Sequence, residues 1–66
     1  MMNKPLEFII ENKEWNSGNS KEVYLEITFF YEDGSTSVLD CDINSELPRG
    51  LELGKHYLIN ELFSFD

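Results

Sequence analysis

The chain has 66 residues, and its 13 Asp and Glu against 5 Lys and Arg give a formal net charge of -8. This excludes a basic surface of the kind that displaces counterions from nucleic-acid phosphates. With 41% hydrophobic and 14% aromatic residues the chain is too apolar for a disordered tail. It has length for one domain, 1–66, and a lone Cys41 and a lone His56 exclude an internal disulfide and argue against a structural zinc.

The period along the chain is two. Leu6, Phe8 and Ile10 alternate with Glu7, Ile9 and Glu11, predicting a first strand over residues 5–15 that ends at Trp15, either a lid on the core or a contact residue. Asn16-Ser17-Gly18-Asn19-Ser20 has turn composition and is expected to form a mobile loop. A second strand, 22–31, follows from Val23, Leu25, Ile27, Phe29 and Tyr31 alternating with Tyr24, Glu26, Thr28 and Phe30.

The next turn selects its own register. A two-residue turn at Asp33-Gly34 would set Asp40 against Ile27 and Asp42 against Leu25, placing carboxylates on an apolar face. A three-residue loop Glu32-Asp33-Gly34, with Gly34 left-handed, instead pairs Phe29 with Ser37, Ile27 with Leu39, Leu25 with Cys41 and Val23 with Ile43. That choice makes a third strand of 35–43 and assigns Cys41 to the core. On the opposite face it sets Glu26 against Asp40, Tyr24 against Asp42, Thr28 against Val38 and Phe30 against Thr36. Like charges facing across a ladder are unfavourable. One reading of this face is a solvated surface; the other is a binding surface on which Tyr24, Glu26, Phe30, Asp40 and Asp42 grip Lys or Arg side chains through charge and ring faces. A flat strand pair does not wrap a cation, so no metal is assigned to it.

Pro48 and Gly50 restrict Asn44–Gly50 to a connection. A strand is expected over 51–60, with Gly54 turning the chain, and His56 is read as a surface or strand residue. The pattern Leu53-Gly54 followed by Tyr57 resembles the turn before a strand in small SH3-like and OB-like barrels, including short phage and bacterial proteins. The resemblance spans about ten residues and implies a curled sheet. It carries no functional residue across. The apolar end, with Phe63 and Phe65 on one side of an extended 61–65 segment, is expected either to close the sheet against the first strand or to pair with another subunit.

The expected fold is therefore all-β: a small antiparallel curled sheet, or a partly closed SH3-like or OB-like barrel, of four to five strands. There is no phosphate-cradling glycine loop, no recognisable nucleophile and no metal spacing, and so small a chain leaves little room for a pocket of about 300 Å3. The expectation is a protein that is not an enzyme and needs no cofactor. It is read as a small acidic protein-binding module, a regulator or inhibitor that occupies a basic site on a partner protein, of the kind phages and mobile elements often encode, some of which imitate DNA charge. The alternatives are an OB-like domain for single-stranded nucleic acid, which the charge opposes, and a self-associating accessory subunit joined through Trp15, Phe63 and Phe65. A homodimer is expected because so small a core leaves these aromatics poorly covered. The lone cysteine, the absence of a signal-like apolar run after Met1 and the absence of a membrane-length apolar segment give an expected cytoplasmic location without membrane contact.

Overall fold

The computed structural model describes residues 3–64, with side chains through Glu61. Four antiparallel strands, β1 (Pro5–Ser17), β2 (Ser20–Tyr31), β3 (Thr36–Asp42) and β4 (His56–Leu58), form one sheet in the order β3-β2-β1-β4. The sheet is open, with β3 and β4 as its two edges. Thirteen residues of β1 span roughly 40 Å at strand rise, which accounts for most of the 45 Å long axis.

The segment between β1 and β2 is tighter than its composition suggested. Ser17 pairs with Ser20, leaving Gly18-Asn19 as a two-residue turn in place of a mobile loop. Gly18 has φ +58, and no non-glycine residue among those described, Asn19 included, has positive φ, so only the first central position is left-handed. This is the type II′ pattern, whose twist matches that of the flanking strands.

The β2–β3 hairpin has the expected register, from Phe30 opposite Thr36 to Tyr24 opposite Asp42. The Gly34 N–H donates to the Tyr31 carbonyl (3.0 Å) and the Tyr31 N–H to the Ser35 carbonyl (2.9 Å), with Gly34 at φ +90. These are the bonds of a type I turn closed by a left-handed glycine. Asp33 fastens the turn, its Oδ1 accepting the Ser35 N–H at 2.8 Å and the Ser35 hydroxyl at 2.5 Å. The Ser35 bonds favour the ionised form and hold the Asp33 carboxyl below its ordinary pKa. The expected Val23–Ile43 pair lies beyond the ladder, because β3 ends at Asp42. There the Ser45 N–H donates to the Asp42 carbonyl (2.9 Å) and the Asn44 N–H to the Asp42 carboxylate (2.8 Å), and the chain leaves the sheet.

One face of the sheet carries the core. Phe8, Ile10, Leu25 and Tyr57 are buried, and Ile27, Phe29, Cys41, Leu47, Leu51 and Ile59 pack on them. Cys41 is thus half-buried at the core edge. The strand expected over 51–60 is confined to His56–Leu58. Before it the chain turns at Gly54 (φ +81), whose N–H donates to the Ile10 carbonyl at 2.7 Å, and Leu51 reaches the core from outside the sheet. The Tyr57 ring stacks on Phe8, centroids 5.7 Å apart, while its hydroxyl accepts the Glu52 N–H at 2.8 Å.

A fifth strand over 61–65 is not formed: Ile59–Ser64 is a 3-10 helix. In the β4–β1 register the next pair after Leu58–Glu7 would be Ile59–Leu6, and Leu6 is the unpaired residue of an irregularity between Pro5 and Glu7. A bulge ends the ladder locally and re-aims its side chain, which leaves Leu6 half-exposed despite its place in the alternating pattern. The Glu61 carboxylate accepts the Leu58 N–H (3.1 Å) and starts the helical turn instead. Phe63 therefore lies in the helix, and Phe65 lies outside the described residues.

Candidate functional site

The two ladders together decide what the outer face displays. Side chains of directly opposed residues share a face, so the Gly18-Asn19 turn aligns Glu11 with Glu26, and the Gly34 turn aligns Glu26 with Asp40. Asp40, Glu26 and Glu11 form one row of carboxylates across β3, β2 and β1. On one side of this row stand Asp42, Tyr24 and Lys13; on the other stand Val38, Thr28, Ile9 and His56, and beyond them Thr36, Phe30, Glu7 and Leu58. None of these residues is buried.

The predicted partner-binding residues Tyr24, Glu26, Phe30, Asp40 and Asp42 thus share one face. Tyr24, Glu26 and Phe30 are half-buried and rest on the central strand, while Asp40 and Asp42 on the edge strand are exposed. Phe30 is held by the His56 ring, 5.2 Å away between centroids, which brings His56 onto this surface. Asp42 has a second role, since its carboxylate also accepts the Asn44 N–H that closes β3. Glu11 was not among the expected site residues. Its signal was the two-residue Gly18-Asn19 turn, which alone fixes the β1–β2 register and with it Glu11 opposite Glu26.

Lys13 is the cation nearest the row, its Nζ 3.9 Å from a Glu11 carboxylate oxygen, an exposed contact of small energy. The other ion pairs among the described residues, Lys21–Glu14 at 3.0 Å and Lys55–Glu52 at 3.8 Å, leave Glu26, Asp40 and Asp42 without a cation. No group of three or more His, Cys, Asp or Glu side chains among the described residues is arranged to hold a metal ion.

Trp15 does not cover the core. It stands half-exposed near the tip of the β1–β2 ribbon, on the outer face opposite Glu22 and away from the part of β1 that pairs with β4. Where β1 meets β4 and the 3-10 helix, Pro5, Leu6, Glu7, Leu58, Ile59 and Asn60 line a cleft of about 480 Å3. It lies where the Leu6 bulge and the end of β4 interrupt the pairing along β1. Open and largely apolar, it groups no catalytic side chains among its lining. Among the described residues no helix is long and apolar enough to cross a membrane.

Comparison with family models, curated proteins and solved structures finds no match for this chain.

Proposed function

We propose that this protein is a small acidic binding module, a regulator or inhibitor that occupies a basic site on a partner protein. The observation that supports this reading is the carboxylate row Glu11–Glu26–Asp40, continued by Asp42 and flanked by Tyr24 and Phe30. The like charges lie side by side on a sheet face where mutual repulsion is a standing cost. A Lys- or Arg-rich surface relieves that cost, and the flanking rings give cationic side chains a face to rest on. An acidic surface also accelerates encounter with a basic partner. The same face opposes nucleic acid, since its aromatics stand among carboxylates with Lys13 as the adjoining cation.

The test is an NMR titration of the labelled protein with a Lys/Arg-rich peptide and, separately, with a single-stranded oligodeoxynucleotide. The peptide is expected to shift the amides around Glu11, Tyr24, Glu26, Phe30, Asp40 and Asp42, with affinity falling as salt rises. Replacing Glu26, Asp40 and Asp42 by their amides should weaken binding and flatten its salt dependence without unfolding the protein. Indifference to the triple change overturns the reading, and tight oligonucleotide binding on this face replaces it with the single-strand-binding one.

A further inference from the structure

The two edges of the sheet are finished differently. β4 is three residues long and runs straight into the 3-10 helix. β3 is seven residues long and, among the described residues, has a neighbour on one side only. Edge strands are normally blunted by brevity, by charged side chains or Pro, or by a bulge; β3 contains no Pro and pairs with β2 without a register shift, and its charges are the carboxylates of Asp40 and Asp42, which repel an acidic strand and not a basic one.

Its unpaired side can be assigned residue by residue. Because the Tyr31 N–H bonds to the Ser35 carbonyl, the antiparallel alternation makes Phe29–Ser37, Ile27–Leu39 and Leu25–Cys41 the hydrogen-bonded pairs. Thr36, Val38 and Asp40 then turn both backbone groups away from β2. Side chains alternate on the same strand. On the core side Leu39 is 54% exposed, with Val23 on β2 at 48%, so the apolar face is unfinished at this edge. On the outer side stand Val38, 58% exposed, and the carboxylates of Asp40 and Asp42.

We infer that β3 receives an extended, basic segment of a partner protein as an additional strand, with Lys or Arg on its outer face and apolar residues on its inner face. The inference rests on the proposed recognition of a basic partner and specifies how that partner is held. Backbone bonding to Val38 and Asp40 supplies the pairing, and alternate side chains supply selectivity. A cation opposite Asp40 joins the end of the carboxylate row, one opposite Asp42 sits beside Tyr24, and the aliphatic stem of a Lys covers Val38. Apolar residues opposite Leu39 extend the core face. The other long free edge, β1 beyond its β4 pairing, fits such a segment less well: on the outer side Lys13 stands between Glu11 and Trp15, and on the core side Ile10 is already buried and is followed by the polar Asn12 and Glu14. A second copy of this chain brings the same excess of negative charge to the edge.

The experiment uses the full chain and two end-blocked seven-residue probes. One alternates Lys and Val; the other has the same sequence with every backbone nitrogen methylated, which keeps the charge and removes strand pairing on both edges. The unmethylated probe is expected to slow hydrogen exchange at the Val38 and Asp40 amides about tenfold and to shift residues 36–42, and the methylated probe is expected to do neither. The variant Val38→Pro, tolerated because that N–H points away from β2, should abolish the protection while β1–β2 signals persist. Equal binding of both probes at the carboxylate row would overturn strand addition and leave the acidic-face reading standing. Failure of both probes to bind even at low salt would overturn both. Protection of Val38 and Asp40 in the unliganded protein, with a doubled mass, would assign the edge to a second copy and overturn the basic segment.

Discussion

The inner and outer faces of this sheet are built from the same strands in the same register, yet they use their residues for different ends. The inner face collects Phe8, Ile10, Leu25 and Tyr57 and is covered by the chain between Leu47 and Ile59. The outer face has no buried residue among those described and places three carboxylates in line. Folding energy is thus concentrated on one side. The other side is free to hold a repulsive arrangement, eased at one end where Lys13 stands beside Glu11. With four buried apolar side chains among the described residues, the division predicts that substitutions sort by face rather than by strand.

The sharpest break of that comparison comes from two phenylalanines at opposite faces of neighbouring strands. Phe8 is 2% exposed and stacks on Tyr57, so Phe8→Ala should cost about 3–5 kcal/mol and leave the domain largely unfolded. Phe30 is half-buried against His56 on the outer face, and Phe30→Ala should cost at most about 1 kcal/mol. Urea unfolding followed by circular dichroism measures both. Equal losses would mean that the outer face also carries the fold.

The next effect tests the turn that assigns residues to faces. Gly34 sits at φ +90, and a Cβ there would meet nothing within 4 Å, so Gly34→Ala acts through backbone strain alone. A loss of about 1 kcal/mol is expected, read as a lower urea midpoint with the transition slope unchanged. An unchanged midpoint would show that the turn accommodates a side chain and that the glycine does not set the register.

The β2–β3 register was legible because a wrong choice would have buried Asp40 and Asp42 against Ile27 and Leu25; side-chain chemistry then enforces the pairing. The β1–β2 register was equally available from Gly18-Asn19, but a five-residue polar stretch reads as a loop unless its glycine is recognised as the first position of a tight turn. That omission concealed Glu11 and therefore the full width of the carboxylate row. The C-terminal third was not legible, because its conformation depends on distant partners. Gly54 turns against the Ile10 carbonyl, and β4 stops where Leu6 bulges out of β1. Alternating apolar residues carry no record of either event.

The smallest effect is the most specific to the outer face. Glu26 is the middle member of the row, flanked directly by Glu11 and Asp40, so Glu26→Gln removes two like-charge oppositions while keeping the side chain's shape. Stability should rise by a few tenths of a kcal/mol, and the gain should shrink as added salt screens the charges that remain. Glu14 is the control: it lies at a core-side register position near the ribbon tip and pairs with Lys21 at 3.0 Å. Glu14→Gln should therefore give no gain, or a loss of a few tenths of a kcal/mol. The two variants change the net charge by the same amount, so a difference between them in urea midpoint at low salt isolates local repulsion from overall charge. Equal stabilisation by both would place the strain in the total negative charge of the chain, and the row would lose its special standing as the feature a basic partner relieves.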